Sequence, residues 1–285
     1  MQDFCMFYPL LFPGNGVTLT PECKGVFPVI EKLFNDLSSL PQVEAIALGG
    51  SRAGTCFDET SDYDIYLYCT APVPEETRRE ILSKYASYVE FGNHFWELED
   101  NGTLNNGIDF DLLFRNLDDF TAGVANVVEH FQAYNGYTTC MWHNLLTCKI
   151  IYDRNGRLAE AKKRFDVPYP PRLKENIIHQ NLRLLHGNLP SYDGQILKAV
   201  KRKDEVSICH RTAAFMESYF DIIWALNEKT HPGEKRLISL CEENCQILPE
   251  NFRENIHNLY HNLFSSPEKV QSNLIKIVNE LIKIL

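Results

Sequence analysis

The chain has 285 residues, 44% of them hydrophobic and 23% charged, enough apolar material for a sizeable core and for more than one compact domain. Its net charge of -10 argues against bulk DNA or RNA binding, whose affinity comes from neutralising phosphates with Lys and Arg. No stretch approaches the about 20 apolar residues of a membrane helix, the opening MQDFCMFYPLLFPG lacks a basic leader region, and nine scattered cysteines suit reduced thiols, so a cytoplasmic protein is expected.

In chain order, residues 26–40 predict a helix with Ile30, Leu33, Phe34 and Leu37 on one face and Pro41 behind it. VEAIALGG, residues 43–50, reads as an apolar strand closed by a glycine turn, and DYDIYLYC, residues 62–69, as a second strand rich in aromatic and β-branched residues. PEETRREILSKYASYV, residues 74–89, opens with proline and acids, as a helix N-terminus does. GIDFDLLF, residues 107–114, is a third strand, and residues 144–156 read as a strand and turn. The proline-rich DVPYPPRLKE, residues 166–175, predicts a linker. Beyond it strand signals stop and helical periodicity runs through residues 173–185, 196–226, 249–263 and 270–285, with residues 227–233 as the main break. An α/β domain over residues 1–167 and a helical domain over residues 168–285 are therefore expected.

The chemistry is concentrated in GGSRAGTCFDETSDYDIYLY, residues 49–68. Asp62 and Asp64 lie two apart on a strand, so both side chains project to one face. Two close carboxylates repel each other unless a cation sits between them, and Mg²⁺ is commonly held by one or two carboxylates plus substrate phosphates. Gly49 and Gly50 permit close backbone approach and Ser51 adds a hydroxyl, which suits an anion at the turn. Downstream, Asp109 and Asp111 share another strand face, and either could supply the third carboxylate of a two-metal site.

At these residues the sequence resembles the nucleotidyltransferase superfamily of DNA polymerase β type, through LGGS, SDYDIYLY and IDFDLLF in that order. Residues 43–120 look most like bacterial aminoglycoside and lincosamide nucleotidyltransferase relatives with a helical carboxy-terminal domain; WALNEKTHPGEKRL, residues 224–237, adds a weaker likeness. The resemblance implies an α+β fold, a mixed sheet of about five strands flanked by helices and followed by an all-helical domain. It implies transfer of a nucleoside monophosphate from an NTP, ATP first, to a hydroxyl of a small acceptor such as an aminoglycoside-like molecule, with release of pyrophosphate. Gly49, Gly50 and Ser51 would cradle phosphates. Asp62, Asp64 and Asp111 would hold two Mg²⁺ ions, with Asp109 in reserve, and Asp111 could also deprotonate the acceptor. Arg52 is placed either on phosphate or in an ion pair, and Lys235 either on the triphosphate or in solvent. Adenylylation of a partner protein, as by antitoxin-type members, and a non-catalytic nucleotide-binding module are the alternatives.

Other signals read more plainly. Cys241 and Cys245 followed by His257 and His261 approach a zinc-finger spacing, but Pro249 interrupts it and paired strands are missing, so a helical segment is expected. KAVKRK, residues 198–203, reads as a solvated helix face. Phe215, Tyr219, Phe220 and Trp224 recur at helical spacing and are expected in a core, with Glu217 among them on an exposed face.

Overall fold

The computed structural model describes residues 28–53, 61–95 and 97–285. The amino-terminal stretch and the spacer of residues 54–60 between the glycine turn and the second strand lie outside the described residues. Contacts separate two compact units: one runs to Leu117 and takes in Lys149–Leu158, the other takes Asp118–Cys148 and Ala159–Leu285.

The first unit is built on a six-stranded mixed sheet. Helix α1 (Pro28–Ser39) leads into strand β1 (Val43–Leu48), the single turn α2 (Gly50–Ala53) and strand β2 (Tyr63–Cys69). Helix α3 (Glu75–Leu82) is followed by three strands, β3 (Ala86–Asn93), β4 (Leu98–Leu104) and β5 (Asp109–Arg115), and β6 (Lys149–Asp153) returns later. The spatial order is β3-β4-β5-β2-β1-β6. Only β2 and β5 run parallel; the other neighbours are antiparallel. β1 is buried along its whole length, which explains its unbroken apolar run. One sheet face packs Ile46, Leu48, Ile65, Leu67, Phe110 and Leu112 with Ile30, Leu33, Phe34 and Leu37 of α1 and Ile81 and Leu82 of α3.

The sheet thus has six strands where about five were expected. The helix predicted over residues 74–89 stops at Leu82, and the aromatic-rich YASYVEF passes into β3. Residues 144–147 end a helix, α5 (Cys140–Thr147), instead of starting a strand.

Helix α4 (Leu117–Val128) and α5 lie between β5 and β6, and α6 (Arg157–Phe165) follows β6. Helix α7 (Pro171–Leu185) begins inside the proline-rich stretch, with proline in its first turn, where a missing N–H breaks no intrahelical bond. The periodicity of residues 196–226 resolves into α8 (Tyr192–Arg202) and α9 (Glu205–Leu226), parted by Lys203 in the left-handed region at φ 55°. Asp204 caps α9 by accepting a hydrogen bond from the Ser207 N–H at 3.1 Å. Helices α10 (Leu237–Asn244), α11 (Phe252–Ser265) and α12 (Val270–Ile282) complete the chain. Their apolar faces close around α9, where Phe215, Tyr219, Phe220 and Trp224 are buried. Tyr219 stacks on Phe252 with centroids 6.2 Å apart and meets Phe220 edge-on at 5.7 Å. Lys198, Lys201, Arg202 and Lys203 are exposed. No helix among the described residues is long and apolar enough to cross a membrane.

Candidate active site

The glycine turn is fastened to β2. The Gly49 N–H donates to the Asp64 carbonyl at 2.8 Å, and the Ala53 N–H closes the turn onto the Gly49 carbonyl at 3.2 Å. A side chain at either glycine would displace a neighbour. A Cβ on Gly49 would lie 2.2–2.4 Å from the Tyr66 ring, and one on Gly50 would lie 1.7 Å from Asp64 Oδ2. Gly50 also has φ +56°, a conformation that side-chain-bearing residues adopt at a cost. The Asp64 carboxylate therefore rests against the bare α-carbon of the residue that opens α2.

The parallel pairing of β2 and β5 sets Asp64 beside Asp111. Paired residues on adjacent strands point to the same side, about 4.8 Å apart at the backbone. This juxtaposition of two carboxylates is central to the site. Asp62 precedes the first residue of β2 and is half-buried. Asp109 sits at the exposed start of β5 and accepts from Thr103 Oγ1 at 2.7 Å. Asp111 is half-buried and accepts from Asn101 Nδ2 at 2.7 Å. On this same face Tyr66 lies between Gly49 and Arg115, whose guanidinium stands 4.0 Å from the ring centroid and donates to Glu97 at 2.6 Å.

Arg52 is turned inward. Its Nε donates to the carbonyls of Ser61 at 2.7 Å and Asp62 at 3.1 Å, its Nη2 also donates to Ser61, and the guanidinium lies 4.0 Å over the Tyr63 ring. The residue binds the entry of β2 to the glycine turn. Lys235 belongs to the second unit, exposed on the segment between α9 and α10. The fold thus brings together Gly49, Gly50, Asp64 and Asp111, with Asp62 and Arg52 at the entry of β2.

Among the described residues no three His, Cys, Asp or Glu side chains gather into a metal-ligating group. Cys241 and Cys245 are buried at the end of α10, whereas His257 and His261 are exposed on α11. The oxygen-only pair Asp64 and Asp111 nevertheless fits Mg²⁺, which takes one or two carboxylates and completes its shell with phosphate and water.

Residues 137–237 match a family model described as a domain of unknown function, DUF4037. No curated protein matches the chain. Among solved structures, it is similar to a nucleotidyltransferase-like protein from Exiguobacterium sibiricum 255-15, at 12% identity and a TM-score of 0.41, covering 91% of this chain and 74% of that one. It is also similar to an aminoglycoside 6-adenyltransferase from Bacillus subtilis, at 10% identity and a TM-score of 0.28, covering 88% of each chain.

The residues matched to the family model hold a buried polar cluster of their own. Asp221 on α9, 1% exposed, accepts from the Thr138 N–H at 3.0 Å, Thr138 Oγ1 at 2.7 Å and Asn181 Nδ2 at 3.1 Å. Burial pushes its carboxyl up to about 7, and the Thr138 and Asn181 hydrogen bonds restrain the rise. Nearby, the His231 N–H donates to Thr139 Oγ1 at 2.8 Å, and burial followed by the proximity of His143 lowers the His231 imidazole to about 3. These groups tie the loop before α5 and the segment after α9 to the helical core.

Sequence reasoning missed Asn101 and Arg115. Asn101 lies in LEDNGTL, too polar to announce a strand; only the β4–β5 register brings it to Asp111.

Proposed function

We propose that this chain is a metal-dependent nucleotidyltransferase that moves a nucleoside monophosphate from an NTP, ATP first, to a hydroxyl of a small acceptor and releases pyrophosphate. The observation that supports it is the adjacency of Asp64 and Asp111 on the parallel central strands, with the Gly50 turn against Asp64. The sequence resemblance assigns the same three places to phosphate and metal. Asp64 and Asp111 would hold Mg²⁺, with Asp62, at the entry of β2, as the third candidate ligand. When bound, Mg²⁺ supplies positive charge across the phosphates and favours the ionised acceptor oxygen. Gly50 and Ser51 would cradle the phosphates, as the resemblance implies. Asp111 would take the hydroxyl proton. As the acceptor oxygen bonds to the α-phosphorus, the bond to the bridging oxygen breaks and its electron pair leaves with pyrophosphate. Arg52 shapes the turn. Free thiols such as Cys209 and the ATP requirement suit the cytoplasm.

The test is pyrophosphate release with each NTP over a panel of cationic and neutral polyhydroxy acceptors. Release should require Mg²⁺ and fall at least about 10³-fold in Asp111→Asn, as loss of an essential proton acceptor and metal ligand demands. Release that appears only with a protein acceptor would move the assignment to partner adenylylation. Equal rates in wild type and Asp111→Asn would remove the proposal.

A further inference from the structure

Behind Asp111 the sheet carries an ordered run of amides. Asn101 Nδ2 donates to Asp111 Oδ1 at 2.7 Å. Asn93 Nδ2 donates to Asn101 Oδ1 at 2.7 Å and reaches Glu90 Oε2 at 3.3 Å, and Tyr88 Oη donates to Glu90 Oε1 at 2.7 Å. The β4–β5 register places Asn101 directly opposite Asp111, and the β3–β4 register places Glu90 opposite Asn101.

The directions of these bonds are forced. An ionised carboxylate only accepts, so Asn101 must turn its NH₂ toward Asp111 and its carbonyl toward Asn93. Asn93 must then present its own NH₂ to that carbonyl, and Glu90 anchors the far end as a second pure acceptor. A flip of either amide would set oxygen against oxygen or NH₂ against NH₂. One Asp111 oxygen is thus engaged by a neutral donor whose orientation is set two residues away. The donor is neutral and adds no positive charge beside Asp64.

We propose that Asn101, oriented by Asn93, is a positioning residue that aims Asp111 at the cation shared with Asp64. The inference rests on the nucleotidyltransferase reading and deepens it. Partners that orient a ligating side chain typically contribute 10–100-fold in metal affinity. Thr103 provides an internal control: it lies on the same strand and face and makes the same kind of contact, at 2.7 Å, to Asp109. Loss of cross-strand packing would register in both variants, and loss of aim only in Asn101.

The experiment titrates Mn²⁺ into the full chain, in the presence of a non-hydrolysable ATP analogue, by calorimetry and by the electron paramagnetic resonance of free Mn²⁺. Wild type is compared with Asn101→Ala, Asn93→Ala, Thr103→Ala and Asp64→Asn. Asn101→Ala should weaken Mn²⁺ binding about 10-fold or more. Asn93→Ala, which leaves the Asn101 amide held by Asp111 alone, should weaken it several-fold, within the lower part of that range, and Thr103→Ala should match wild type. Should Asn101→Ala fail to fold, the Asn93→Ala and Thr103→Ala pair decides alone. Wild-type Mn²⁺ affinity in Asn101→Ala or Asn93→Ala, with binding lost in Asp64→Asn, overturns the positioning role and leaves the site standing. Unchanged binding in Asp64→Asn overturns both.

Discussion

At the scale of single residues, the site depends on an atom that is missing. Gly50 has no Cβ, and Asp64 occupies the space that one would fill. Gly50→Ala should therefore act twice. Its left-handed φ costs about 1–3 kcal/mol for a residue with a side chain, measurable by urea unfolding. The displaced Asp64 carboxylate should weaken Mg²⁺-dependent nucleotide binding at least about tenfold, by analogy with loss of a supporting contact to a metal ligand. Unchanged affinity in a folded Gly50→Ala protein would show that the Gly50–Asp64 contact does not matter to binding. The turn itself was legible in the sequence, because an apolar strand ending in two glycines and followed by a second strand calls for a tight connection. Arg52 was not. Its position after the serine left phosphate and an ion pair both open, and whether a guanidinium faces a ligand or two backbone carbonyls depends on where residues 61 and 62 return, which local spacing does not encode. Asn101 was still less visible, since its meaning lies wholly in a pairing register.

At the scale of elements, strands with one buried face and helices with a regular stripe were readable, and polar edge pieces were not. β1, β2 and β5 carry continuous or alternating apolar residues into the core. β3 is only half-buried along its length and β4 mixes acids, amide and glycine, so neither carries a clean strand pattern and the helical spacing of α3 continues in the sequence past Leu82. The join between α1 and β6 was likewise unreadable. Arg154, just past β6, donates from Nη2 to the carbonyls of Ser38 at 3.1 Å and Leu40 at 2.8 Å, and from Nη1 to Pro41 at 3.3 Å. Ser38 lies in the last turn of α1, which has no intrahelical donors, and Leu40 and Pro41 follow the helix into β1. Arg154→Ala should destabilise the protein by about 1 kcal/mol. Arg164→Ala, which removes an exposed pair with Glu129, should leave the urea midpoint unchanged. Equal midpoints for the two variants would mean that the α1 clamp contributes nothing.

At the scale of the whole molecule, two buried titrating groups set opposite limits on stability. Asp221 has its folded value raised to about 7 from 3.8, so its contribution is complete below about pH 4 and is lost as pH rises through 7. His231 has its folded value lowered to about 3 from 6.5, so its contribution is complete above pH 6.5 and is lost as pH falls toward 3. Above pH 6.5 only Asp221 still titrates of the two. Thermal unfolding midpoints should therefore decline between pH 6.5 and 8 in wild type and flatten in Asp221→Asn. His231→Gln should flatten the acid side instead. A wild-type midpoint that climbs from pH 6.5 to 8 would contradict the assignment to Asp221. Neither group was apparent in the sequence, where an Asp within the apolar YFDIIWAL gave no hint of its three donors.

In the proposed function, Asp64, the Gly50 turn and Asp111 form one metal–nucleotide site. Its most direct test is calorimetric titration of a non-hydrolysable ATP analogue into wild type and Asp64→Asn, with and without Mg²⁺, followed by the GTP, CTP and UTP analogues. Binding of at least one analogue should require Mg²⁺ and disappear in Asp64→Asn. Binding indifferent to both Mg²⁺ and the substitution, or no binding of any of the four, would contradict it.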